Sequence, residues 1–479
     1  MAEDYKPGDI ELKHITLQNY RGAKVDLQKV MEEFTIFHDM MDNGLYLDIL
    51  IVDANGLVEF TPIVGDEVIV MQFRTPTFKD MRTYVFRIFS VEDKVKTNDR
   101  GDNYVIRAVS QEVINDHRNS VNKSYTNLSG SSVIKSIYNE FVKPNEDDHI
   151  TVKKKKLFVQ DTVDTHHFLF PGVKPIEAIN TVCREARVKN NGMLTEYNFK
   201  NKKINEEVYI DNSDASNFVF YESYDGWYLK TIDSMLVQDV FEDFYLTDAR
   251  REQKNEGKET IKPFQKISTV QYLNQFDTID NLEEGMYYHK VETIDPIKKQ
   301  FTTDVFTYNN DKKSIAHLEK NKNIFTKKSI FANDGDTSVS HYMQSNIGDY
   351  RKFDLLNTAR KTDPQVRNPR RLHEYFKYDL ASRNQLNNIV LEIAIPGNTE
   401  IELGQVVNLH IPQNSAVEEY KKKDNILYGN KFFITNFRHT YNKQDNSFFT
   451  MFEAVKDTYA KDVVEETTDP AFYDEDIDL

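Results

Sequence analysis

Hydrophobic and polar residues alternate with a period of two over long stretches of this chain, and one arrangement of such stretches occurs twice. Near the start, GDEVIVMQF (65–73) is followed by YVFRIFSV (84–91), a polar turn and NYVIRAVSQE (103–112). Near the other end, GQVVNLHIP (404–412) is followed by KFFITNFRH (431–439), a polar turn and NSFFTMFEAV (446–455). In each copy a glycine opens a β-branched strand, a hydrophobic strand follows a long connection, and a hairpin closes on a third strand. The pattern predicts one small antiparallel barrel built twice. Its register sets Val68 and Val70 on Val406 and Asn408, and Phe86, Ile88 and Val91 on Phe432, Ile434 and Phe437.

Between the copies the periodicity changes. The strand run 46–60 breaks at Asp53-Ala54-Asn55-Gly56, a turn composition. Ser129-Gly130-Ser131-Ser132 precedes a helix in which Val133, Ile137, Tyr138 and Phe141 share a face and which Pro144 ends. A second helix runs from Pro175 to about Val188, with Ile176, Ile179 and Val182 on its apolar stripe. Residues 113–203 therefore read as an α+β insertion after the first barrel. Strand character returns at Phe218, where Asp225-Gly226 marks a hairpin, its glycine expected to supply a positive φ. If 218–236 opens the second barrel and 388–455 completes it, the stretch between them is an insertion and the domain is discontinuous. Residues 301–370, rich in Asn, Asp and Lys, read mostly as loop laid over other structure or over a partner.

A chain of 479 residues exceeds one ordinary core and is expected to hold about three or four domains. Its 26 Tyr and 31 Phe offer aromatic burial, whereas a mean hydropathy of −0.63 leaves much polar surface. The opening MAEDYKPGDIELK has no apolar core of signal-peptide length, and no segment reaches the roughly 20 apolar residues of a membrane span, so a soluble protein is expected. A net charge of −16 argues against holding nucleic acid through its phosphates. The one basic run, 153–156, reads as a solvated turn or strand edge.

Catalytic motifs are largely missing. There is no phosphate loop, no nucleophile elbow and no cysteine pair for zinc. His373-Glu374 begins like a zincin helix, but Lys377 stands where the second histidine is needed. His166 and His167 are adjacent and cannot share a helical face. The single cysteine, Cys183, reads as a small buried hydrophobe, and 77 acidic residues make chance carboxylate pairs uninformative for glycoside cleavage. No catalytic residue, cofactor or metal is expected.

Three further segments carry a family resemblance. PGVKPIEAINTVCREARV (171–188) resembles the helix that baseplate hub proteins of contractile-tailed bacteriophages carry after their first barrel. FVFYESYDGWYLKTIDSML (218–236) is similar to the same family's strand pair, an aromatic run with Glu followed by Asp-Gly-aromatic, leading into a Leu/Met stretch. FDTIDNLEEGMYYHKVETIDP (276–296) resembles a third family stretch, with Gly-Met-Tyr after a helix. Cys183 departs from the small aliphatic residue usual there, and 301–370 has no counterpart.

The resemblance implies a mainly β, α+β fold with two similar antiparallel tail-tube-like barrels. The divisions are then 1–112 for the first barrel, 113–217 for the α+β domain, 218–236 with 388–457 for the second barrel, 237–387 for an inserted α+β and loop region, and 458–479 for an acidic tail. It also implies a homotrimer, in the virion's tail baseplate and assembled in the host cytoplasm, whose six barrels ring a channel. Its partners would be a central spike protein, tail tube or tube-initiator proteins, tape-measure protein and baseplate wedge proteins, with DNA only in transit and no membrane binding. Two other readings stand beside this one: a cell-wall-degrading tail enzyme, and a carbohydrate-binding receptor module using Tyr287, Tyr288 and Trp227. Partner docking is expected at Phe472, Tyr473 and Ile477, an apolar anchor within the acidic tail. For Trp227, burial beneath its hairpin and a partner hot spot are both open.

Overall fold

The computed structural model describes residues 6–54, 56, 63–76, 78–98, 101–144, 155–163, 165–188, 193–198, 203–209, 216–246, 263–295, 299–311, 315–319, 341–345, 372–386, 388–413, 424–425 and 427–459. The first part of the chain is all strand: β1 (Glu11–Gln18), β2 (Lys24–Asp26), β3 (Met31–Asp39), β4 (Leu45–Asp53), β5 (Val68–Arg74), β6 (Arg82–Asn98) and β7 (Gly101–Val109). Helices then alternate with short strands: α1 (Gln111–Arg118), β8 (Val121–Ser129), α2 (Gly130–Ile137), β9 (Lys156–Val159), β10 (Thr165–Val173), α3 (Pro175–Glu185), β11 (Met193–Asn198) and β12 (Lys203–Tyr209). A hairpin of β13 (Phe218–Glu222) and β14 (Gly226–Thr231) leads through α4 (Ile232–Leu236) to β15 (Val240–Tyr245) and β16 (Thr269–Asn274). After α5 (Thr278–Glu283) come β17 (Tyr288–Asp295), β18 (Gln300–Thr307), β19 (His341–Ser345) and α6 (Leu372–Leu386). The chain returns to strands with β20 (Ile389–Pro396), β21 (Val406–His410), β22 (Asn430–Asn442) and β23 (Ser447–Lys456).

Thirteen strands share one sheet, ordered β16-β20-β23-β22-β3-β4-β7-β6-β5-β1-β2, with β21 on β22 and β15 on β21. Two units lie within it. The first runs β3-β4-β7-β6-β5-β1 and the second β16-β20-β23-β22-β21-β15, the same strand order. The registers match rung by rung: Ile69 faces Phe86 as Val407 faces Phe432, and Leu47 faces Ala108 as Leu391 faces Ala454. Both long strands bulge at the same place, β6 between Ile88 and Ser90 and β22 between Ile434 and Asn436. Even the connections agree. Ile88 N–H donates to Glu67 O and Ile434 N–H to Gln405 O, each at 3.0 Å. The same two residues turn their side chains back three positions, Glu67 accepting from Val64 N–H at 3.1 Å and Gln405 from Glu402 N–H at 3.0 Å. One rung differs: β1 joins β5 antiparallel, whereas β15 joins β21 parallel.

Alternation explains the two cores. Leu45, Leu47, Ile49 and Ile51 of β4 point inward with Ile69, Phe86 and Ile106, and their counterparts Ile389, Leu391, Ile393 and Ile395 of β20 do so with Val407, Phe432 and Phe452. Burying such a side chain contributes about 1.5–3 kcal/mol, so each unit carries its own stabilisation. Among the described residues the ladder stays linear from β16 to β2. A third core holds α2, α3 and the hairpin face of Phe218, Phe220, Trp227 and Leu229. Ser129 caps α2 by accepting from Ser132 N–H, and Pro175 opens α3.

The structure differs from the sequence reading in several places. The hairpin β13–β14 opens no second barrel; it pairs with β9. The second unit's flanking strands are instead β15 and β16, from the stretch read as insertion, which occupy the free edges of β21 and β20. The loop expected at 301–370 includes β18 and β19, both paired to β17. Gly226 has no positive φ. It is required for space, since a Cβ there would collide with the backbone carbonyl of Lys156 on β9.

Candidate functional site

The two units are joined edge to edge. Residues 436–442 of β22 run antiparallel to 33–39 of β3, from Asn436 opposite Asp39 to Asn442 opposite Glu33, and Thr35 and Thr440 hydroxyls meet at 3.2 Å. Side chains cross with the backbone. Tyr441 and Phe448 of the second unit lie in the first unit's core, and Met40 lies in the second's. His38 stacks on Phe437 with centroids 4.2 Å apart, and His439 packs edge-on against both. Burial first, and then Arg82, push His439 down to about 3, so this ring is neutral at ordinary pH.

A second clamp lies beside the joint. Thr75 Oγ donates to Gly397 O at 3.0 Å and accepts from Thr399 N–H at 3.1 Å. Arg82 reaches Glu402 at 3.4 Å and Asp225 at 3.8 Å while its guanidinium covers the Tyr224 ring at 4.2 Å. The first unit, the second unit and the hairpin turn therefore meet at one arginine.

The hairpin is anchored from below by a buried charge cluster. Lys155 bonds Glu112 of α1 at 3.1 Å and also Glu222 of β13. Glu222 accepts in addition from Ser110 Oγ at 2.6 Å and from Leu45 N–H at 3.1 Å. Burial pushes Glu222 up to about 7 against the pull of Lys155, and the two carboxylates hold the ammonium charged. Lys155 is 5% exposed at its side chain and so departs from the reading of the 153–156 run as a solvated edge, whereas Lys156 is exposed on the edge strand β9 as that reading has it, and 153 and 154 lie outside the described residues. With all three groups inside the protein, the cluster has a structural role and presents no carboxylate pair to a substrate.

The remaining candidates fall as follows. Trp227 is 0% exposed and stacks on Phe220 at 4.9 Å, so it belongs to the third core and has no surface for a partner. Tyr287 is buried too, which removes it from any sugar-binding platform. Cys183 lies in the third core with its thiol pushed up to about 12 by burial, an unreactive group. His166 is buried and stacks on Phe168. Phe472, Tyr473 and Ile477 lie outside the described residues, as do the side chains of His373 and Glu374. Among the described residues no His, Cys, Asp or Glu group is arranged to hold a metal, and no helix is long and apolar enough to cross a membrane.

The solvent face of the continuous sheet mixes charged residues with apolar ones, Leu50 and Val52 among the exposed. Strand parity places Glu33, Asp48, Glu92, Glu392 and Glu453 there with Arg107 and Arg438. Arg107 pairs with Glu92 at 3.1 Å and Asp48 at 3.8 Å, and Arg438 with Glu392 at 3.6 Å.

No family profile and no curated sequence matches the chain. Chains of solved structures do, 34 of them. The tail protein from Neisseria meningitidis MC58 has a TM-score of 0.50 at 9% identity, over 93% of this chain and 96% of its own. The 43 kDa tail protein of prophage MuSo2 from Shewanella oneidensis has 0.49 at 8%, over 93% and 98%. An E. coli component of the type VI secretion system, described as similar to the T4 tail proteins gp27 and gp5, has 0.39 at 8%, over 94% and 77%. The likeness to the Neisseria protein shows that the chain has the fold of a tail protein, the fold that its resemblance to baseplate hub proteins implies.

Proposed function

We propose that the chain is a structural subunit of a contractile-tail baseplate hub, acting as a trimeric ring between a threefold central spike and the sixfold tail tube. The observation that carries this reading is the six-strand unit built twice in one chain and joined through β22 and β3. Three such chains present six near-equivalent units, which meets sixfold partners on one side and threefold partners on the other. The solvent face of the sheet is assigned to the channel, where its carboxylates discourage DNA from adhering during passage. The mechanism is symmetry matching and gating rather than catalysis, with spike, tube or tube-initiator, tape-measure and wedge proteins as neighbours.

Native mass measurement of the purified chain, with particle images, tests the reading. The expected result is a trimer with a wide axial opening at micromolar concentration, because obligate interfaces bury more than roughly 2,000 Å² in total. Stable monomers under those conditions overturn it.

A further inference from the structure

The second unit departs from the first at one edge, where β15 lies parallel to β21 instead of antiparallel as β1 lies to β5. A titratable ring holds that edge. His410 of β21 stands where β5 has Gln72, and Gln72 donates to Thr83 of β6 at 3.1 Å. His410 instead sits between two carboxylates: its Nδ1 meets Asp424 at 2.8 Å, and its Nε2 meets Asp243 of β15 at 3.3 Å. Tyr245, also of β15, lies flat on the ring, with centroids 4.4 Å and planes 9° apart. Two of the strand's residues thus grip one imidazole.

A neutral imidazole has one N–H, and two carboxylates call for two. Protonated, the ring donates to Asp424 and Asp243 together, and its charge faces the Tyr245 ring. Neutral, it keeps Nδ1–H on Asp424, and its bare Nε2 has a ready donor in Asn408, whose Nδ2 lies 3.3 Å away and also donates to Asp243 at 2.8 Å. The proton therefore decides between two partners of Nε2, Asp243 on β15 and Asn408 on β21 itself. Asp424 is kept in either state. Charged side chains on the neighbouring rungs are Lys431, opposite Asn408 on β22, and Lys266, bridged to Tyr245, while Glu242 accepts from Gln265 at 2.6 Å. The bond to Asp424, and after it that to Asp243, raises the ring's pKa above its ordinary value against partial burial. With its side chain 27% exposed, the ring can exchange that proton with water.

We propose that His410 is a proton-operated catch that closes β15 on β21 when its ring is charged and loosens the strand when Nε2 turns from Asp243 to Asn408. The direction follows from the raised pKa. The catch contributes fully below the ordinary imidazole value of about 6.5, and its contribution is lost as pH rises through the higher value of the docked ring. The strand matters beyond its own six residues, because Phe244 on it is buried in the second core against Phe452, with centroids 5.7 Å apart. Loosening β15 withdraws that ring and opens the edge of β21 to another strand. The catch lies within one chain and operates whether or not the chain assembles.

Hydrogen exchange of the full chain between pH 6 and pH 9, read by mass spectrometry and corrected for the intrinsic pH dependence of exchange, tests the catch. The reporter on β15 is the Leu246 amide, which donates to His410 O at 3.0 Å; the reference is the Asn425 amide, which donates to Ile411 O at 2.7 Å. Protection at 240–246 should fall as pH rises, by about tenfold for each unit by which docking of β15 raises the ring's pKa, while protection at 425 holds. His410→Gln should remove the dependence, and Asp424→Asn should keep it but shift it to lower pH. Constant protection at 240–246 across the range, or an equal fall in His410→Gln, overturns the catch. Loss at 425 in step with 240–246 overturns the choice between Asp243 and Asn408.

Discussion

Lys155 shows how a residue's sequence neighbours can hide its role. It stands in a run of four lysines, the composition of a solvated face, and its two carboxylate partners are 43 and 67 positions away. Only the fold brings them together. Replacing Lys155 by Met should cost about 3–5 kcal/mol at pH 7, because two buried carboxylates lose their counter-charge. The deficit in the urea midpoint should shrink at pH 5, where the acids can be neutral; an equal deficit at both values would contradict the assigned role. His439 supplies the opposite dependence. Its folded form resists protonation down to about 3, while the unfolded chain takes up the proton near the ordinary value of about 6.5. Stability is therefore complete above that range and falls with pH below it, by about 2 kcal/mol at pH 5. A His439→Gln variant should lose that part of the acid sensitivity, read as the difference in unfolding free energy between pH 7 and pH 5.

At the scale of elements, alternation was the reliable guide. The strand 389–396, with Ile389, Leu391, Ile393 and Ile395 at every second position, has the inward set of 45–51 and takes the same place in its unit. The helices at 130–137 and 175–185 were legible from their caps and apolar stripes for similar reasons. β15 was not, because a parallel edge strand of six residues with Glu242 and Asp243 at its centre has no clean period, and what fixes it is the unpaired edge of β21. Of the interface, Phe437 was legible as a position of the repeat; that His38 meets it across the joint, and Phe34 meets Tyr441, was not, since register between distant strands leaves no local mark. Gly226 was found for the wrong reason. Its φ is ordinary, and its worth lies in letting β9 approach β14. Gly226→Ala must push two backbones apart, at a cost of about 1–3 kcal/mol. The expected readout is faster amide exchange confined at first to 156–159; uniform exchange across all three cores would refute a local contact.

At the scale of the molecule, one chain holds two units that share a strand order and differ in detail: one parallel strand against one antiparallel, and exchanged signs on the sheet face, where Arg107 and Glu453 occupy equivalent rungs. The internal β22–β3 joint fixes the parity of whatever the chain builds. A closed assembly must contain an even number of units, so rings of five or seven are excluded by covalent connection before any contact energy is considered. Every second seam is also present from the moment a chain folds, at an effective concentration that no free subunit reaches. Assembly of a six-unit ring then needs two encounters between chains where single-unit proteins need five, and an incomplete ring can break only at alternate seams.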